Sequence, residues 1–137
     1  MAGLVRFGIS LESDLSKQFD ALIKRKGYSN RSEAVRDLIR QDLVGQQWQD
    51  GDEIAGAITF IYNHHKRQLL NKITDIQHDF QKVIISSQHI HLDHDNCLEI
   101  VAVKGRPAEI LKLANLLKTL KGVKHGTLGI TSTGKGL

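Results

Sequence analysis

The first third of the chain holds a single stretch patterned as a strand, and this constrains the fold more than any other feature. Val5, Phe7, Ile9 and Leu11 are apolar, and Arg6, Gly8 and Ser10 fall between them, the period-two alternation of a strand buried on one side. A lone strand has two unpaired edges, and a core of about 45 residues is marginal by itself. A partner must therefore supply the second strand. Two copies pairing these strands would form an antiparallel ribbon with helices packed beneath it, presenting Arg6, Gly8 and Ser10 from each chain. Such a ribbon fits the major groove of double-stranded DNA.

The helices of that unit follow from spacing. Ser13 is a candidate N-cap, Leu15, Phe19, Leu22 and Ile23 share one face, Lys24, Arg25 and Lys26 suit the negative end of the dipole, and Gly27 reads as the stop. Asn30 and Glu33 have capping-box spacing for a second helix, whose Val35, Leu38, Ile39 and Leu43 continue an apolar face to about Val44. Its N-terminal amides, from Ser29 through Asn30 and Arg31 to Ser32, would aim at phosphates, which fix register without reading bases. The run Val5 to Leu11, followed by Lys26-Gly27-Tyr28-Ser29-Asn30-Arg31-Ser32-Glu33-Ala34-Val35-Arg36-Asp37, resembles a ribbon-helix-helix repressor.

Residues 45–53 lose periodicity and gather glycine and polar side chains, as a linker does. Beyond them the pattern is strand over Ala55–Tyr62, helix from His65 to about Phe80, strands over Lys82–Leu92 and Leu98–Val103, helix from Pro107 to Gly122, and strand from Val123 to about Thr131. The order βαββαβ is ferredoxin-like: a four-stranded antiparallel sheet with both helices on one face. The expected fold is thus α+β, with domains at residues 1–47 and 53–133. Lys135 to Leu137 are expected to fray.

Three of seven histidines and the only cysteine fall within Gln88-His89-Ile90-His91-Leu92-Asp93-His94-Asp95-Asn96-Cys97. On a strand, His89 and His91 share a face about 7 Å apart, near enough to hold one ion. A two-residue turn at Asp95-Asn96 would point Cys97 away from them. An odd turn such as His94-Asp95-Asn96, which places Cys97 opposite Asp93, or a wide irregular one, would bring it to their side. A lone cysteine forms no internal disulfide, so Cys97 is a buried thiol, a nucleophile or a ligand. With His78 as a fourth ligand, imidazoles and a thiolate allow a tetrahedral zinc or a square-planar nickel site, with copper also compatible. Spacing leaves these alternatives open. His64, His65 and His125 show no ligand spacing and read as surface or helix-end residues, with the holding of a neighbouring loop an alternative role for His64 or His65.

A ribbon-helix-helix unit joined to a ferredoxin-like unit, with Gln77-His78 followed by Gln88-His89-x-His91-x-x-His94-x-x-Cys97-Leu98-Glu99, resembles the nickel-responsive transcriptional regulator family, NikR. That resemblance covers nearly the whole chain. It implies an ACT-type second domain, a square-planar Ni(2+) site made by His89, His91 and Cys97 of one subunit and His78 of a neighbour, and a homotetramer built as a dimer of dimers. It also implies a repressor, not an enzyme, that binds a palindromic operator when nickel-loaded and controls nickel-uptake genes. The alternative is a zinc- or copper-responsive regulator on the same scaffold. Arg6, Gly8 and Ser10 become the base-reading face, although some members carry a hydroxyl residue where this chain has Gly8. Glu33 and Asp37, one helical turn apart, match a secondary cation site. Asp79, Asp93 and Glu99 are candidates to orient the imidazoles.

The formal charge of +4 allows an anionic partner without specifying one. The first residues lack the apolar core of a secretory signal and no apolar run approaches the length of a membrane span, so a cytoplasmic location is expected.

Overall fold

The computed structural model describes residues 3–137; Met1 and Ala2, where the expected first domain begins, lie outside the described residues. The chain divides into two compact units, Met1–Gln41 and Asp42–Leu137.

In the first unit, residues 3–12 have no regular secondary structure, although a strand is expected over residues 5–11. A strand exists by its hydrogen-bond ladder, and this segment has no ladder partner among the described residues. Helix α1, Ser13–Lys26, starts one residue earlier than expected: Glu12 is the N-cap and makes no side-chain capping bond, while Ser13 is already helical. Its C-terminus matches expectation. Gly27 adopts the left-handed conformation at φ 78°, so its N–H and that of Tyr28 reach the Lys24 and Ile23 carbonyls at 3.3 and 3.1 Å. Helix α2, Arg31–Gln49, is capped by Asn30, whose Oδ1 accepts the Glu33 N–H at 2.9 Å.

Helix α2 runs about five residues past Val44, into the stretch expected to be linker. Gln46, Gln47 and Gln49 are good helix formers, and Trp48 packs on the core of the second unit, so tertiary contact holds a turn that periodicity alone did not mark. The chain breaks only at Gly51, at φ 74°, where the Asp52 N–H returns to the Gln47 carbonyl.

The second unit has the expected order: β1 Ile54–Asn63, α3 Arg67–Asp79, β2 Ile84–His91, β3 Asn96–Gly105, α4 Pro107–Lys118 and β4 Val123–Ser132. The strands form one antiparallel sheet in the order β2-β3-β1-β4. Ile58 lies opposite Val101, Phe60 opposite Glu99 and Tyr62 opposite Cys97, so these side chains share one face. Leu69 and Ile73 of α3 and Ile110, Leu113, Ala114 and Leu117 of α4 bury their apolar stripes in the same core. Pro107 opens α4 at the first turn, where its missing N–H costs nothing. Near the C-terminus, Gln47 Nε2 donates to the Lys135 carbonyl at 3.1 Å.

Candidate metal centre

The β2–β3 hairpin sets the geometry, and Asp93 sets the hairpin. Its Oδ1 accepts the N–H groups of Asp95 and Asn96 at 3.0 and 2.8 Å, and Asn96 Nδ2 donates to the same carboxylate. These bonds from Asn96, more than any other influence, hold the Asp93 carboxyl below its ordinary range. The Leu92 N–H donates to the Asn96 carbonyl at 2.9 Å, leaving Asp93-His94-Asp95 as the turn. The turn is odd in length, but it sits one residue earlier than the His94-Asp95-Asn96 turn considered from sequence. Cys97 consequently lies opposite His91 rather than Asp93.

His91 and Cys97 therefore share a face, and His89, opposite Glu99, stands beside them. Cys97 is buried, whereas His89 and His91 lie exposed on edge strand β2. Beneath His89 is a buried polar network centred on Glu99, which is 0% exposed. Tyr62 donates its hydroxyl to Glu99 Oε1 at 2.8 Å, and Gln77 Nε2 donates to Oε2. His89 Nδ1 lies 3.2 Å from Glu99 Oε1 and 3.1 Å from the Tyr62 hydroxyl oxygen. A carboxylate removed from water is costly unless hydrogen-bonded; Tyr62 and Gln77 supply bonds to Glu99, and the Tyr62 hydroxyl oxygen links it to His89 Nδ1. Burial, then the bond to Glu99 and its charge, push the Tyr62 phenol far up, so it stays a donor. A carboxylate at Nδ1 selects the tautomer protonated there and leaves the Nε2 lone pair of His89 for a metal.

The backbone aligns three donors, but their side chains point to other partners. The His91 ring meets His64 edge-on with centroids 4.7 Å apart, and the Cys97 thiol lies 3.8 Å from the Leu98 carbonyl. His78, in the last turn of α3, is exposed, while its neighbour Gln77 reaches inward to Glu99. Among the described residues, none of His78, His89, His91 and Cys97 belongs to a group of three ligands with donor atoms within 4.8 Å of one another. The donor chemistry nonetheless fits a transition metal: two imidazoles and a thiolate on paired strands, one imidazole braced by a buried carboxylate.

Spacing did not reveal the roles of Tyr62 and Gln77. Tyr62 and Gln77 reach Glu99 from two other elements, a convergence that exists only in the folded register. His64 and His65 lie just after β1, and each directs Nε2 to the His94 carbonyl at 2.9 Å.

In the first unit Arg6, Gly8 and Ser10 are exposed on the irregular segment. Ser29 precedes the cap, the Asn30 side chain is used as the cap, and Arg31 is held by Asp20 through two bonds of 2.9 and 2.8 Å. Glu33 pairs with Arg36 at 3.2 Å, while Asp37 accepts from Tyr28 and, at 2.9 Å, from Gln41. Among the described residues Asp79 makes no side-chain hydrogen bond, and Asp93 orders the turn rather than an imidazole.

Comparison with known proteins agrees with this architecture. The family described as the NikR C-terminal nickel-binding domain matches residues 55–131, and the ribbon-helix-helix proteins of the copG family match residues 5–44. A protein described as a nickel-responsive regulator in Syntrophus aciditrophicus is 64% identical over 98% of both chains. Proteins so described in Chlorobium phaeobacteroides and Solibacter usitatus are 54% and 53% identical, covering 96% and 98% of this chain and 98% and 97% of theirs. An uncharacterised protein of Thermotoga maritima, 11% identical, shares the fold over 60% of this chain and 99% of its own, with a TM-score of 0.50.

Proposed function

This chain belongs to the nickel-responsive regulator family, with a ribbon-helix-helix DNA-binding unit and a nickel-binding unit, and from that premise we propose that it is a repressor switched on by nickel. Its work is recognition rather than catalysis. The nickel-binding unit spans residues 53–133, and Ni(2+) is held by His89, His91 and Cys97 of one subunit and His78 of another. The observation that carries this is the hairpin register: His91 lies opposite Cys97, and His89, beside them, is braced by buried Glu99. The exposed position of His78 on α3, apart from the other three donors, supports a ligand supplied across an interface.

An ion bound across subunits adds its binding energy to assembly and order. Four chains, as a dimer of dimers, would carry two ribbons. The DNA-binding unit, residues 1–47, pairs through residues 5–11, which satisfies both an unpaired strand and the apolar side chains exposed along it. Arg6 and Ser10 then read bases beside Gly8, which offers no side chain, and the start of α2 at Ser29, Asn30 and Arg31 faces phosphates. Glu33 and Asp37 bind a cation only if Arg36, Tyr28 and Gln41 release them. Nickel binding to the second unit favours the arrangement in which both ribbons meet a palindromic operator, and nickel-uptake genes are the natural targets of such feedback in the cytoplasm.

Operator binding titrated with nickel tests this. The wild type should bind tightly only with nickel, and His91→Ala and Cys97→Ala should lose the response. A response retained in both variants would defeat the proposal, and an equal response to zinc or copper would move it to another ion.

A further inference from the structure

Arg31, the first residue of α2, meets Asp20, in the middle of α1, through two bonds: Nε donates to Oδ1 at 2.9 Å and Nη2 to Oδ2 at 2.8 Å. A guanidinium grips a phosphate through the same two-pronged fork. Local pairing does not account for the choice of partner. Lys17 and Lys24 stand on α1 at the spacings where charged side chains meet, yet among the described residues Asp20 forms its ion pair with Arg31. The bond from Arg31 holds the Asp20 carboxyl below its ordinary range, so the pair stays ionised at neutral pH. Arg31 also sits where a cation is least suited, at the positive end of the α2 dipole, so an anion beside it answers both the guanidinium and the dipole. A phosphate would answer the same two. The Arg31 and Asp20 side chains are 65% and 48% exposed, and an exposed ion pair contributes little to stability, so little opposes its exchange for another anion.

We propose that Asp20 stands in for a DNA phosphate: it occupies Arg31 while the ribbon-helix-helix unit is free, and a backbone phosphate displaces it on docking. The inference rests on the reading that the start of α2 faces phosphates. Because phosphate contacts carry no sequence information, the exchange lowers affinity for every DNA and leaves base reading by Arg6 and Ser10 untouched. Binding to DNA other than the operator is thereby held down. The displaced carboxylate remains beside the DNA as a free anion, so it offsets the counterion release that Arg31 would otherwise add. The simplest alternative is a staple that only fixes α1 against α2. It accounts for the two bonds equally well, but it predicts weaker or unchanged DNA binding when Asp20 is replaced.

Binding of the full chain to a mixed-sequence DNA duplex, followed across a range of salt, tests this without requiring a nickel response. Asp20→Asn keeps an acceptor oxygen beside Arg31 but drops the charge, and it should bind the duplex several-fold more tightly at low salt. Its salt slope should steepen by about 0.9 for each Arg31 that reaches a phosphate, a further loss of about threefold per copy between about 50 and 200 mM salt. Arg31→Gln should weaken binding, and Asp20→Asn added to Arg31→Gln should then change neither affinity nor slope. The inference is overturned if Asp20→Asn binds no more tightly than the wild type, as the staple predicts. It is also overturned if Asp20→Asn gains as much without Arg31, which would make Asp20 a general repulsive charge. Unchanged binding by Arg31→Gln would instead remove the reading that the start of α2 faces phosphates, and this inference with it.

Discussion

The two units bury their apolar residues in opposite ways. Helix α1 buries no residue and α2 only Ala34, while Val5, Phe7 and Ile9 are 86%, 71% and 59% exposed. In the second unit Ile54, Ile58, Val101, Ile110, Leu113 and Leu117 are each 0% exposed. Both units are patterned for burial, so the difference lies in what completes the pattern. The second unit closes its own core with four strands and two helices, whereas the first leaves an open trough lined by Val5, Phe7, Ile9, Phe19, Val35 and Ile39, the surface that the proposed pairing would cover.

The largest expected effect therefore comes from a residue that is exposed in the single chain. If Phe7 is buried only by pairing, Phe7→Ala removes a side chain worth about 1.5–3 kcal/mol from each copy, so a symmetric pair loses about 3–6 kcal/mol. Sedimentation and operator binding should show association weakened by about a hundredfold or more, with the unfolding of the second unit unchanged. Unaltered association would show that the two units do not differ in this way. Leu113→Ala should do the reverse: it opens a cavity in a closed core and destabilises the second unit by about 2–5 kcal/mol, measured by denaturant unfolding. A cost below that range would mean that this core is looser than its burial indicates.

A smaller effect separates the brace from the ligands. Glu99→Ala leaves the Tyr62 hydroxyl without its acceptor and removes the carboxylate beside His89 Nδ1, and nickel affinity should fall about 10- to 100-fold. Glu99→Gln keeps an acceptor oxygen in place and should lose less. Equal losses would mean that charge, rather than orientation, is what Glu99 supplies.

Much of this was legible from the chain because period and punctuation are local. The βαββαβ order, the Gly27 stop and the Pro107 start follow from neighbouring residues. The strand at residues 5–11 is legible as alternation, yet it forms no ladder among the described residues, because a ladder is a property of two segments. Turn parity was legible in principle, but turn position was not: Asp93 closes the turn with its own carboxylate, which moves the hairpin and pairs Cys97 with His91. The same limit left loop-holding as no more than an alternative role for His64 and His65, which meet His94 across about thirty residues of chain. Trp48 likewise extends α2 through a contact with a core that no local window contains.

The smallest expected effect concerns that turn. Asp93 has a depressed carboxyl pKa, relative to an ordinary value of 3.8, because Asn96 and Asp95 donate to the charged form. A group whose folded pKa is lowered contributes stability that is fully present above the unfolded value and lost as pH falls through the folded one. The turn should thus keep its order at neutral pH and loosen only in acid below about pH 4, near the unfolded pKa of an aspartate. The Asn96 amide resonance, followed through that range, should shift and its exchange accelerate. Asp93→Asn, which retains an acceptor oxygen without a titrating proton, should flatten the response from Asp93. An Asn96 amide that titrates identically in this variant would place the sensitivity elsewhere, and the turn would then be held by the strands rather than by Asp93.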